Sequence, residues 1–184
     1  MYSVNTTSEI IREMNVDSVP FDVEATFRAH YGRVAHIIGR VVRDHARAEE
    51  LAVEVFLKLW RKKQAQTNNL EAWLYRVAIR TGLDELRSRS RRSRFERLFG
   101  LLQVKSSPAT PEQVHLANEH QQRVRSILAR LEPRQAEFLV LRSHGLTYEE
   151  VARILDMNPA SVGTLLARAQ QAFRKEYIER YGNE

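Results

Sequence analysis

Hydrophobic positions along this chain recur at intervals of three and four nearly from end to end, while alternation every second residue is almost absent. That pattern predicts helices and no sheet, an all-α chain. After a polar, weakly patterned stretch with a short helical patch near Ile10, Pro20 and Asp22 open the first clear helix. Phe27, Tyr31, Val34, Ala35, Ile38, Val41 and Val42 share one of its faces. Asp44 can cap the next helix, roughly 45–63, whose inner stripe is Ala48, Leu51, Ala52, Val55, Phe56 and Leu59. A polar loop, QAQTNN at 64–69, leads into a helix of roughly 69–97 with Leu70, Trp73, Leu74, Val77, Ala78 and Thr81 on its core face. Beyond Phe99–Gly100 the composition changes to LLQVKSSPATPEQ, a linker. Thr110-Pro111-Glu112-Gln113 then supplies a cap, a first-turn proline and a Gln at the third helical position. Val114, Ala117, Val124, Ile127, Leu128 and Leu131 point that helix inward. Pro133 starts a short helix with Ala136, Phe138, Leu139 and Leu141, which Gly145 ends.

The stretch from Thr147 to Tyr177 predicts two helices across a tight turn. Thr147 and Glu150 form a capping box, and Val151, Ala152, Ile154 and Leu155 are the buried side. Asp156 falls where the chain needs a residue that tolerates a left-handed turn. Asn158 caps the second helix and Pro159 takes its first position, where a missing N–H costs nothing. Val162, Leu165, Leu166, Ala169, Phe173 and Tyr177 face inward, which turns Ala160, Ser161, Gly163, Thr164, Ala167, Arg168 and Gln171 outward. This is the grammar of a helix-turn-helix, although an ordinary helical hairpin in a core would have the same signals. The expected organisation is an amino-terminal arm over 1–21, a helical domain over 22–98, a linker over 99–111 and a second helical domain over 112–184.

Composition narrows the class. With 43% apolar residues the chain can build folded cores. It has no cysteine, which excludes a disulfide scaffold and thiolate metal sites and fits a reducing cytoplasm. The first residues lack a basic region and a long apolar run, so no secretory signal is expected, and no apolar run is long enough for a membrane span.

Charge is unevenly placed within a net +6. Residues 1–98 hold 18 basic and 13 acidic side chains, and residues 99–184 hold 11 and 10. Residues 76–97 alone contain eight arginines against Asp84, Glu85 and Glu96. Stepping about 100° per residue brings Arg76, Arg80, Arg87, Arg91 and Arg94 within a stripe of about 60°. A solvated face normally mixes signs, so a row of guanidiniums points to a phosphate backbone, although a merely soluble surface remains open. Arginine also permits bidentate contact to guanine or stacking on unpaired bases. The helix over 45–63 has a second apolar stripe, Val53, Leu57 and Trp60, flanked by Glu50, Glu54 and Arg61. Either that helix is buried on both sides or the stripe docks a protein.

Three segments in order carry a family resemblance: AEELAVEVFLKLW (48–60), AWLYRVAIRTGLDELR (72–87), and the helix-turn-helix. Over roughly 22–98 and 112–178 the chain resembles bacterial sigma factors of the sigma-70 family, and its size resembles the extracytoplasmic-function group. The resemblance implies that the first domain corresponds to region two and the second to region four. It implies a promoter-specificity subunit in the cytoplasm, with core RNA polymerase, promoter DNA and an anti-sigma factor as partners and with no membrane insertion. Glu50, Val53, Glu54, Leu57 and Trp60 would dock on the β′ clamp helices of the polymerase, and the second domain would lie at the β flap. The helix at 72–91 would read and open the minus-ten element through Arg76, Arg80, Arg87 and Arg91. The loop would take a flipped base, with Gln64, Gln66, Asn68 and Asn69 offering amides to its edge. Ser161, Gly163, Thr164 and Arg168 would read the minus-thirty-five element in the major groove. The chain departs from the family pattern at Val53, where a polar residue is usual, at Arg80, where Asn is frequent, and at Gly163 and Leu165, where basic residues are frequent.

Two other functions compete. A stand-alone helix-turn-helix repressor or activator explains the second domain and leaves the outer stripe of 48–60 idle. An enzyme finds little support. His30, His36, His45, His115, His120 and His144 form no i,i+4 pair, and there is no phosphate-cradling glycine loop and no nucleophile elbow. Adjacent Glu49 and Glu50 do not share a helix face. No cofactor, metal site or catalytic residue is expected.

Overall fold

The structure, a computed structural model, describes residues 21–62, 69–99 and 112–182, without the side chains of residue 97 and of 112–118. The expected arm with its patch near Ile10, the linker, the cap at Thr110 and the loop amides of Gln64, Gln66 and Asn68 lie outside the described residues, as do the side chains of Val114 and Ala117. Within them the chain forms helices and no strand: α1 (Val23–Val42), α2 (His45–Arg61), α3 (Leu70–Leu98), α4 (Glu112–Leu128), α5 (Pro133–Ser143), α6 (Tyr148–Leu155) and α7 (Pro159–Tyr181).

Local chemistry explains most helix starts. Asp22 accepts from the Ala25 N–H at 2.9 Å and Asp44 from the Arg47 N–H at 3.1 Å, each satisfying a first-turn donor. At α5 the cap is Glu132, whose carboxylate accepts from the N–H groups of Arg134 and Gln135 ahead of Pro133. Arg43 and Asp156, with φ of 58° and 53°, end α1 and α6 in the left-handed region. Gly145, at φ 80°, ends the turn after α5.

α1 packs on both α2 and α3. Val34, Ile38, Val41, Val42, Ala48, Leu51, Ala52, Val55, Phe56 and Leu59 are buried as their spacing requires. The buried face of α3 is longer than the core pattern that stops at Thr81. Ile79, Leu83 and Leu86 are buried as well, in a stretch whose arginines mask the periodicity. Gly82 permits a close approach of α1 and α3, because a Cβ there would stand 3.2 Å from that of Val41. α7 packs on α4, α5 and α6, and α3 also meets α4, α5 and α6.

An ion-pair network ties α3 to the start of α2. Arg47 donates to Glu85 at 3.1 Å and to Glu50 at 2.7 Å, and Arg89 donates to Glu85 at 2.7 Å and to Asp44 at 2.9 Å. The backbone N–H of Arg47 and the guanidinium of Arg89 hold the Asp44 carboxyl below its usual range. Burial pushes Glu85 up, but the guanidiniums of Arg47 and Arg89 outweigh it and leave it lowered. Carboxyls depressed in this way contribute stability that is fully present above their unfolded pKa values and is lost as pH falls through the folded ones.

Urea midpoints followed from about pH 5 down to about pH 2 should therefore fall with acid, and Arg89→Ala should flatten that fall. Leu59 is fully buried and Leu57, two residues away, is 44% exposed. Leu59→Ala should destabilise by about 2–5 kcal/mol. Leu57→Ala should cost less than about 1 kcal/mol by the same urea unfolding.

Candidate nucleic-acid and protein interfaces

The outer side of α2 is an exposed apolar patch. Val53, Leu57 and Trp60 are 43%, 44% and 63% exposed, while Ala52, Val55 and Leu59 on the same helix are fully buried. Glu50, Glu54 and Arg61 are exposed around it. A patch of this kind, apolar at its centre and charged at its rim, has the make-up of a protein-docking surface. The alternative of a helix buried on both sides fails on these exposures.

The arginine row of α3 does not form one surface, because different neighbours pack along it. Arg76 and Arg80 line a groove of about 420 Å³ with Lys58, Arg61, Lys62, Trp73 and Val77. Five of those seven side chains are basic and none is acidic, so the groove attracts phosphate and has a partly apolar floor. Lys58, Arg61 and Lys62 escape a search for one helix face because they come from the end of α2, and only the packing of α2 on α3 brings them in. Asn69, at the mouth of α3, has φ 44° and makes no side-chain cap bond, so its exposed amide is uncommitted.

Arg80 has a second role. Its Nε donates to Oε1 of Glu137 at 2.7 Å and its Nη2 to Oε2 at 3.3 Å, a bidentate pair to a carboxylate on α5 that is only 5% exposed. Arg134 stands 3.9 Å from the same carboxylate. In this arrangement Arg80 is committed to the second group of helices. Close by, Arg33, Asn69, Glu71, Ala72 and Tyr75 border Leu146, Glu150, Arg153 and Ile154 of the α6 region.

Farther along α3, Arg87 and Arg91 with Arg94 face the α4–α5 turn and the end of α7. Arg87 donates to Asp84 at 3.0 Å. Arg89, one step off the row, belongs to the network with Glu85 and Asp44.

The helix-turn-helix forms as its local signals require. Thr147 and Glu150 make both bonds of the capping box, and Asn158 accepts from the Ala160 N–H at 2.9 Å. The Met157 N–H donates to the Ala152 carbonyl at 3.0 Å, which closes α6. Ala152 and Val162 are both buried where the helices cross. Ser161, Thr164 and Arg168 are exposed on α7. Gly163 is only half-open, because a Cβ there would lie 3.5 Å from the Tyr148 ring. The outward face of α7 is thus uncovered while α3 is partly covered.

Among the described residues no group of His, Cys, Asp and Glu could hold a metal ion, and no helix is long and apolar enough to cross a membrane.

Residues 26–92 match sigma-70 region 2, and residues 121–172 match sigma-70 region 4. The ECF RNA polymerase sigma factor SigK of Mycolicibacterium vanbaalenii is 31% identical over 162 residues, covering 84% of this chain and 82% of the relative. The chain belongs to the ECF RNA polymerase sigma factors. SigK of Mycobacterium tuberculosis H37Rv is 28% identical over 159 residues, covering 82% of this chain and 83% of that protein. A solved structure, the sigma factor RpoE of Bartonella quintana in complex with the anti-sigma factor NepR, matches at 20% identity and a TM-score of 0.46, covering 85% of this chain and 96% of that one.

The protein is accordingly a sigma factor that directs transcription initiation, and the stand-alone regulator is set aside. Sigma factors are not enzymes, which fits a molecule whose distinguishing features are surfaces. Within this sigma factor the Arg80–Glu137 pair couples the two groups of helices. Removing one partner of a buried pair costs about 3–5 kcal/mol, but the half-exposed Arg80 and the nearby Arg134 reduce that. A double-mutant cycle of Arg80→Ala and Glu137→Gln in urea unfolding should show a coupling of about 1–3 kcal/mol.

Proposed function

We propose that this sigma factor binds core RNA polymerase through the outer face of α2, with Val53, Leu57 and Trp60 at the centre and Glu50 and Glu54 at the rim. The observation that supports this most is the division of one helix into a fully buried inner stripe and an exposed apolar outer one. Those three side chains leave apolar area in water that a docked protein would bury, and the β′ clamp helices of the polymerase are the partner that family membership supplies. The second group of helices would then reach the β flap.

Promoter contact in this proposal has two parts. The basic groove of Arg76, Arg80, Lys58, Arg61 and Lys62 holds the melted minus-ten strand, with Asn69 and Asn68 reading a flipped base and Arg87 and Arg91 following the backbone. Ser161, Gly163, Thr164 and Arg168 on α7 read the minus-thirty-five element in the major groove. Arg80 commits its Nε and Nη2 to Glu137 in this arrangement, so its full engagement with minus-ten DNA competes with that pair. The protein performs no catalysis of its own and acts in the cytoplasm, where polymerase and promoter are. An anti-sigma factor, the kind of partner carried by RpoE in the Bartonella complex, is included as a protein that holds the chain away from polymerase.

Pull-down of core polymerase tests the first part. Leu57→Asp with Trp60→Ala should abolish capture while the circular dichroism and melting of the free protein stay unchanged; an unfolded variant would mean that the patch is core. Arg168→Ala should lose minus-thirty-five discrimination by about 1–3 kcal/mol in binding to matched and mismatched promoters, whereas a uniform loss would make Arg168 a phosphate contact.

A further inference from the structure

We propose that the cleft between the carboxy-terminal half of α3, the α4–α5 turn and the last turn of α7 is a binding site for a small polyphosphate anion. The cleft has a volume of about 210 Å³. Arg87, Ser90, Arg91 and Arg94 of α3 line one side, and Arg130 and Arg180 line the other. Among the described residues no carboxylate lines it.

The charges around it do not balance. Of the five guanidiniums, Arg87 has Asp84 at 3.0 Å and Arg130 has Glu176 at 3.2 Å. Arg91, Arg94 and Arg180 form no ion pair with any described residue. Nη2 of Arg87 is buried and lacks an acceptor altogether. A buried donor left unpaired is costly, and like charges converging in a cleft raise its attraction for counter-ions. An anion brought into the cleft offsets that excess of positive charge.

The shape selects the class of anion. Guanidinium forks match phosphate oxygens bidentately. Arg87, Arg91 and Arg94 follow one another over about 10 Å of helix, at 1.5 Å per residue, a row better matched by linked phosphates than by one. The volume is several times the roughly 30 Å³ share of a water molecule, and arginines from three segments converge on it, an enclosure that suits a small anion. A free polyphosphate, inorganic or carried on a nucleoside, fits these limits.

Because its walls come from both groups of helices, the site is complete only in the packed arrangement, and its ligand favours that arrangement. The occupied site holds Arg87 and Arg91 away from DNA, a consequence that rests on their proposed minus-ten role; the binding itself does not.

Calorimetric titration of the full chain at fixed ionic strength tests the site, with inorganic tripolyphosphate as one probe and ATP as the other. Tripolyphosphate should bind, and Arg130→Ala with Arg180→Ala should weaken it about tenfold or more, while Arg168→Ala leaves it unchanged. ATP binding with the same response assigns the phosphates to a nucleotide, and tripolyphosphate binding without ATP binding assigns them to an inorganic chain. Equal weakening by Arg168→Ala would reduce the effect to diffuse attraction and overturn the site, as would no binding of either probe. If melting shows the double variant unfolded, Arg180→Gln alone replaces it under the same criterion. Polymerase capture in the absence of polyphosphate is read separately, since Arg130 and Arg180 lie on neither surface proposed for polymerase or promoter.

Discussion

Helix α3 must serve two packings at once. One side completes the core with α1 and α2 through Trp73, Leu74, Ala78, Ile79, Leu83 and Leu86. The rest of its surface is close enough to α4, α5 and α6 to contact all three. A helix with two sets of neighbours has little free circumference, and this one also carries a dense run of arginines. The arginines therefore occupy whatever surface the packing leaves, and each acquires the role of its immediate surroundings. Gly82 shows how tight the constraint is, since the approach of α1 leaves no ordinary space for a side chain there.

That constraint turns a uniform charge pattern into three distinct environments. Arg89 is structural, held by Glu85 and Asp44 at the junction with α2. Arg76 and Arg80 lie in the groove next to Lys58, Arg61 and Lys62, and Arg80 also reaches Glu137 on α5. Arg87, Arg91 and Arg94 face Arg130 and Arg180 across a cleft with no acid in its lining among the described residues. Arg87 and Arg130 have carboxylate partners there, while Arg91, Arg94 and Arg180 have none among the described residues. By contrast α7 exposes Ser161, Thr164 and Arg168 on an outward face of modest charge.

How much of this was legible depended on the range of the interaction. The caps at Asp22, Asp44, Thr147 and Asn158 act within three residues, and each formed as its spacing predicts. Glu132 was the exception, a cap of unusual type that the more conspicuous Pro133 concealed. The inner and outer stripes of α2 were legible too, because periodicity separates two faces of one helix. The extension of the α3 core through Leu83 and Leu86 was not, since apolar residues there are outnumbered by charged ones that occupy other faces.

The chain by itself determined the helices, most of their ends, the buried stripes and the order of segments that mark an ECF sigma factor. These follow from backbone hydrogen bonding and from periodicity, which are properties of near neighbours in sequence. Only the tertiary structure decided that Arg80 meets Glu137 across 57 positions, that the end of α2 joins the groove of α3, and that five arginines from distant segments share one cleft. Those arrangements depend on which faces pack together, and a charge has no periodic signal that names its partner.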